Sequence, residues 1–198
     1  MKLIFASANK NKIKEIKALL PEHFNLLGLE DIGIYEEIPE PGTTIKENSF
    51  LKAKYVLDFL KQANEDCAVF SDDSGLEVDV LNNAPGVYSA RYAGASKNDA
   101  NNNKKLLEDL KLITNRKARF VTVITLIING EVHYFEGEIK GTISYEARGT
   151  NGFGYDPLFI PQGYRSTFAE LGAEVKNTIS HRALAVKQLI NFFATQNL

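Results

Sequence analysis

One stretch constrains the architecture of this chain more than any other. Arg119 to Ile128 is the longest β-branched run, Asn129-Gly130 follows it, and Val132 to Ile139 then alternates. An Asn-Gly pair between two such runs suits a two-residue turn with both central residues left-handed, and it is the strongest short-range hairpin signal. Two neighbouring strands of one sheet are therefore expected.

The chain reaches that hairpin through parallel-type units. Leu3 to Ala6 reads as a buried strand and Ser7 to Asn11 as a polar loop. Ile13, Ile16, Leu19 and Leu20 then fall at helical spacing until Pro21 closes the helix. Strand, loop and helix in that order put the loop's backbone N–H groups at a helix N-terminus, a natural anion site. Leu26 to Leu29 is a candidate second strand. Thr44-Ile45-Lys46-Glu47 has the form of a capping box, with a helix expected to about Gln62 that buries Ile45, Leu51, Val56, Leu57 and Leu60. Cys67 to Phe70 reads as a buried strand ending in Ser71-Asp72-Asp73-Ser74-Gly75. Leu76 to Leu81 looks extended, and Pro85-Gly86 marks a turn over residues 82–86. Asp99 is expected to cap a helix running to about Leu112. Gly141 to Glu146 is a further strand candidate, residues 149–157 form a glycine-rich loop, and Ser180 caps a last helix carrying Leu184, Val186, Leu189, Ile190 and Phe193. No repeat, low-complexity segment or long linker interrupts the 198 residues, so residues 1–198 read as one domain, whole or two-lobed. A chain near this size hides roughly 70% of its unfolded surface. The expected class is α/β or α+β with a mixed sheet.

Charge and cysteine content narrow the function. A net charge of −2 argues against a surface that seeks nucleic acid, while the early cluster Lys2, Lys10, Lys12, Lys14 and Lys17 suits a small anionic ligand or a solvated helix face. A single cysteine, Cys67, allows no internal disulfide and no cysteine zinc site, and reads as a buried structural thiol. The apolar opening is too short for the core of a signal peptide, and no stretch approaches 18 apolar residues, so no membrane span is expected and the cytoplasm is the default location.

Four polar segments carry residue types that phosphate chemistry needs. Ser7-Ala8-Asn9-Lys10-Asn11-Lys12 offers hydroxyl, amide and ammonium donors where a helix begins, without the glycines of a Walker loop. In Ser71-Asp72-Asp73-Ser74-Gly75 two adjacent carboxylates repel unless a cation or donors compensate. The segment fits magnesium with phosphates, or a general base, with an Asx-turn as the alternative. Glu40 sits between Pro39 and Pro41, which fix its direction, either as a second metal carboxylate or in an acidic surface loop. Phe153, Gly154, Tyr155 and Asp156 offer aromatic faces and open backbone groups for a flat base, and Lys176, His181 and Arg182 add cations and donors near a helix start. There the helix dipole disfavours a proton on His181, making it a neutral hydrogen-bond partner. His23 and His133 have no motif around them.

These segments, in this order, resemble the inosine triphosphate pyrophosphatase family over nearly the whole chain. The most specific stretches are Ser71 to Leu76, Pro85 to Arg91, Gly152 to Pro157 and Ser180-His181-Arg182. The resemblance implies an elongated mixed sheet flanked by helices, two lobes with a central cleft, a homodimer, magnesium, and pyrophosphate release from ITP, dITP or XTP. It implies that Ser7 to Lys12 is the triphosphate loop, although family members usually carry threonine, glycine and glycine at the positions of Ser7, Ala8 and Asn11. It makes Glu40 and Asp73 the metal carboxylates and Asp73 the general base. Lys52 and Ser74 become phosphate-side contacts, and Phe153 to Asp156, Lys176, His181 and Arg182 the base and sugar pocket. Asn151 stands where a glycine is common.

On this basis Asp73 is expected to deprotonate a water that attacks the α-phosphorus, with Lys12 and the metal neutralising the leaving pyrophosphate. Donors aimed at a 6-oxo group would reject adenine. Competing classes are a pyrophosphatase for modified pyrimidine or methylated nucleotides, a catalytically silent nucleotide-binding protein and, least favoured, a nucleic-acid binder.

Overall fold

The computed structural model describes residues 2–61 and 67–196. Six strands form one sheet in the order β2-β1-β3-β4-β5-β6, flanked by helices. The strands are β1 (Lys2–Phe5), β2 (Asn25–Leu27), β3 (Ala68–Val78), β4 (Lys117–Ile128), β5 (Glu131–Ile143) and β6 (Phe159–Pro161). The helices are α1 (Lys10–Leu19), α2 (Ile45–Lys61), α3 (Asp99–Asp109), α4 (Phe168–Ile179) and α5 (His181–Thr195). β1 pairs in parallel with β2 and β3, and β5 pairs antiparallel with β6, so the sheet is mixed, as expected of this α/β class. Among the described residues no helix is long and apolar enough to cross a membrane.

The chain divides into two compact units. The first comprises Met1–Asp73, Thr122–Glu136 and Leu184–Leu198, and the second Ser74–Val121 and Gly137–Ala183. In the first unit the strands are apolar on both faces, the pattern of a sheet covered on two sides. Leu3, Phe5, Phe70, Ile124 and Leu126 pack with Ile16 of α1 and with Val186, Leu189 and Phe193 of α5. The intervening residues Ile4, Val69 and Ile127 pack with Ala53, Val56 and Leu60 of α2. Phe5 and Phe70 stack with centroids 4.7 Å apart. The second unit has its own core of Leu76, Val78, Leu106, Leu110, Phe120, Ile143, Leu158, Phe159 and Phe168.

The hairpin forms as read: Asn129 (φ 53°) and Gly130 (φ 80°) are both left-handed between β4 and β5. The capping box also forms, with Thr44 Oγ1 accepting from Glu47 N at 3.1 Å and the Glu47 carboxylate from Thr44 N at 3.1 Å. The expected end of α2 at Gln62 lies outside the described residues. Ser180 Oγ accepts from Ala183 N at 3.1 Å and starts α5, where Leu184 is exposed and Ala183 and Ala185 are buried instead.

Other expectations need correction. β2 stops at Leu27, because the Asp31 carboxylate takes the Gly28 N–H at 2.7 Å. β3 does not end at Ser71 but runs on to Val78. Extension stops there, and Asp79–Leu81 is a 3-10 turn followed by left-handed Asn82 and Asn83. Asn98, not Asp99, caps α3 by accepting from Asn101 N at 2.9 Å, and the helix stops at Asp109. The candidate strand at Gly141 is the end of β5, while β6 and α4 were not anticipated. α4 starts on a capping box of Thr167 and Glu170, and Gly172 (φ 78°) kinks it. On α2 the stripe Ile45, Ser49, Lys52, Val56, Leu60 is buried with Asn48 and Ala53, whereas Leu51 and Leu57 are half-buried. Cys67 is half-buried.

Arg116 joins the end of α3 to the end of β5. Its buried guanidinium donates to Ile143 O, Leu110 O and Ser144 O, each at 2.8 Å. Arg116→Leu strands those carbonyls and should cost about 3 kcal/mol of stability. A urea titration checks this, and an unshifted midpoint would contradict it.

Candidate functional site

In the first unit the site rests on the alternation of a strand. Side chains of neighbouring strand residues point to opposite faces. Asp72 therefore shares a face with Phe70, on the side of α1, and Asp73 shares one with Val69 and Ser71, on the side of α2. The repulsion expected between adjacent carboxylates is relieved because each meets its own lysine. Lys12 of α1 donates to Asp72 Oδ1 at 3.1 Å, and Lys52 of α2 lies 3.5 Å from Asp73 Oδ1. Lys52 Nζ also donates to Glu40 Oε1 at 2.5 Å, so Glu40 and Asp73 converge on one ammonium. Asp72, which the sequence-based assignment of roles passed over, is fully buried.

This burial shapes the titrations. Burial works against the Lys52 ammonium, but the charges of Asp73, Glu40 and Asp72 outweigh it and raise its pKa above the usual lysine value. For Asp73, burial raises the pKa above the usual carboxylate value, against the pull of Lys52 and Lys12 and with the repulsion of Glu40 and Asp72.

Two polar residues on α2 hold these groups in place. Ser49, one turn before Lys52, meets Thr125 Oγ1 of β4 at 2.8 Å and Ser71 Oγ of β3 at 3.2 Å. Asn48 Oδ1 accepts from Gly42 N at 2.7 Å and ties the Glu40 loop to the helix. A Cβ at Gly42 would lie 2.6 Å from that oxygen, so glycine is required. Polar residues on an otherwise apolar helical stripe were the available signal for both.

The triphosphate-loop candidate is arranged differently from the open anion site expected. Asn9 caps α1 with its own side chain, which accepts from Asn11 N at 3.0 Å and Lys12 N at 3.1 Å. Ser7 Oγ accepts from Asn9 N at 3.3 Å. Ala8, Asn9, Lys10 and Asn11 are exposed, and Ser7 is buried.

Glu40 and Asp73 suit magnesium by donor type. Both are hard oxygen ligands, and this ion is commonly held by one or two carboxylates, with waters and phosphates completing the shell. Among the described residues no group of three or more His, Cys, Asp or Glu could hold a metal by itself.

The second unit gathers the remaining candidates. Asp156 is buried and accepts from Phe153 N at 2.9 Å and from Lys176 Nζ at 2.5 Å. Lys176, in the last turn of α4 just before the start of α5, lies 4.6 Å above the Phe153 ring. Arg182 lies 5.8 Å from the same ring and donates to Ser74 Oγ at 3.0 Å. His181 stacks on Phe120 at 4.7 Å. Phe153 and Gly154 are half-buried, whereas Tyr155 is core, its hydroxyl donating to Ser89 O at 2.8 Å. Phe153 is therefore the aromatic face this loop presents. Gly152 (φ 80°) has no substitute, since a Cβ would fall 2.1 Å from Asp156 Oδ2. Asn151 Nδ2 donates to Ala169 O at 3.0 Å and braces the loop. Away from both clusters, His23 packs on Phe24 and His133 on Phe192.

Known proteins share this framework from end to end. The sequence profile of the Ham1 family matches residues 3–192. The chain is 54% identical over 191 residues to the dITP/XTP pyrophosphatase of Flavobacterium johnsoniae, covering 96% of this chain and 97% of that one. It is 52% identical over 192 residues to the dITP/XTP pyrophosphatase of Porphyromonas gingivalis, covering 96% of each. The Ham1 protein of Staphylococcus aureus superposes with a TM-score of 0.88 at 38% identity, over 99% of this chain and 100% of that one. A nucleoside-triphosphatase / dITP/XTP pyrophosphatase from Mycobacterium abscessus does so at 0.75 and 41% identity, over 96% and 98%. With such similarity along its full length, this chain belongs to the Ham1 family.

Proposed function

We infer that this chain hydrolyses the non-standard purine nucleoside triphosphates dITP, ITP and XTP to the nucleoside monophosphate and pyrophosphate, removing them before they enter DNA or RNA. The observation that carries the reaction is the convergence of Glu40 and Asp73 on one cation, Lys52 Nζ, inside a family whose relatives bear the name dITP/XTP pyrophosphatase.

Asp73 orients a water and accepts its proton as the oxygen attacks the α-phosphorus and the α–β anhydride bond breaks. Burial of Asp73 raises its pKa above the usual carboxylate value. Glu40 and Asp73 would hold magnesium, which would supply charge neutralisation for the departing pyrophosphate. Lys12 and Lys52 contribute fixed positive charge on either face of β3, and Ser7 to Lys12 receives the triphosphate. Ser74 adds a phosphate-side hydroxyl. In the second unit Phe153 gives the base its stacking face, and Lys176, His181 and Arg182 point donor chemistry at a 6-oxo group. Adenine carries an amino group there, and the unmatched donors penalise it.

The same reading makes the working enzyme a cytoplasmic homodimer without nucleic-acid or membrane partners. The net charge of −2 supports the first exclusion. Light scattering should return the mass of two chains; the mass of one chain would remove the dimer from the proposal.

The assay that tests the function is pyrophosphate release from ITP, XTP, dITP, ATP and GTP, with magnesium and then with EDTA. Fast release from the first three, slow release from ATP and GTP, and loss of all activity in EDTA are expected. Equal rates on ATP would refute the base pocket, and full activity in EDTA would refute the metal. Asp73→Asn should lower kcat by at least about 100-fold, and near-parental turnover with ITP would exclude Asp73 as the base.

A further inference from the structure

Helix α3 grips the aromatic loop by its backbone. Asp99 Oδ2 accepts from Gly154 N at 2.7 Å, and Asn103 Nδ2 donates to Gly154 O at 2.9 Å. Both polar backbone groups of one residue are thus held by two side chains spaced one helical turn apart. Gly154 is left-handed (φ 62°), a backbone state that fixes where the flanking Phe153 and Tyr155 can point. The Asn103 Oδ1 atom is buried without a partner among the described residues, so the bond to Gly154 O is what orients that amide.

The neighbouring residue of the same helix does the equivalent for a second segment. Asn102 Oδ1 accepts from Ala93 N at 2.7 Å, and its Nδ2 donates to Ala90 O at 3.0 Å. Tyr155 closes the frame by donating to Ser89 O. Phe153 therefore sits between two anchors, with its own N–H on Asp156 and the next peptide clamped by α3.

We propose that Asp99 and Asn103 are positioning residues for base recognition. They hold the Gly154 peptide, and through it the plane of the Phe153 ring on which a purine stacks, and so set affinity and choice of base without touching the substrate. This rests on the assignment of Phe153 to Asp156 as the base pocket. The two bonds act on binding and not on the attacking water, which predicts an effect on KM and little on kcat.

The test is steady-state pyrophosphate release by the full-length Asp99→Ala/Asn103→Ala double variant in magnesium. KM for ITP should rise about tenfold for two lost hydrogen bonds, and the kcat/KM advantage of ITP over ATP should fall by a similar factor. The kcat for ITP should stay within about threefold. Asp99→Asn keeps an acceptor for the Gly154 N–H and should rescue, remaining within about threefold of the parent for both substrates. Parental KM and parental discrimination in the double variant would overturn the proposal, whatever happens to its melting temperature. If the double variant does not fold, Asn103→Ala alone is judged by the same two quantities. Phe153→Ala separates the two levels of inference. If it raises KM while the double variant does not, the clamp is refuted and the pocket stands. If it leaves KM unchanged, the pocket assignment falls and the clamp falls with it.

Discussion

The first unit is organised around ionised groups largely withdrawn from bulk water. Asp72 is fully buried, and Asp73 and Lys52 are nearly so. Each charge alone would cost several kcal/mol to bury, and the cost is offset only where an opposite charge and hydrogen bonds lie close. β3 meets that condition with its simplest property, alternation. One carboxylate turns toward α1 and Lys12, the next toward α2 and Lys52. Extension of the strand through Ser71 to Gly75 and separation of the charges are the same event.

From that constraint the neighbouring elements follow. Lys52 must arrive at a fixed height along β3, and α2 is set by hydroxyl contacts from Ser49 to Ser71 and Thr125, one helical turn away. Glu40 must reach the same ammonium from a loop, and the loop is tied to α2 through Asn48 and the only residue that fits there, Gly42. The second unit repeats the device on a smaller scale. Asp156 is buried against Lys176, the lysine lies over Phe153, and the ring is thereby held by a charge that is itself neutralised. Preorganised charge of this kind contributes most to catalysis when it needs no rearrangement as the reaction proceeds.

Much of this was legible in the sequence, and the gaps have physical causes. Asn129-Gly130 and Thr44 to Glu47 are local signals whose partners lie within a few residues, and both elements formed where they pointed. Ser71 to Gly75 read as a loop because polar residues ordinarily mark solvent. Its partners Lys12 and Ser49 are 60 and 22 residues distant in the chain, and nothing local announces them. α4 escaped notice although Thr167 and Glu170 form a capping box, because Gly172 interrupts the apolar spacing that would have shown a helix. Among the site candidates the segments were visible and the pairings were not. Arg182 meets Ser74 across 108 residues, and Asp72 was passed over because a doublet of acids does not say which member faces which lysine.

The glycine-rich loop around Phe153 shows why side-chain motifs understate a candidate site of this kind. Tyr155 looked like a second stacking face, yet its ring is core and its hydroxyl holds Ser89 O. What the loop presents is one ring, Phe153, and its backbone setting is fixed by the peptides on either side. Gly152 admits the Asp156 carboxylate where no Cβ fits, and Gly154 adopts a left-handed state with both its backbone groups engaged. The backbone setting of the ring is then a consequence of glycine geometry and backbone hydrogen bonds. On the proposed assignment, a loop held this way would resist the small shifts that let an amino group replace a carbonyl, since a hydrogen-bond mismatch discriminates only where the donors cannot move to relieve it.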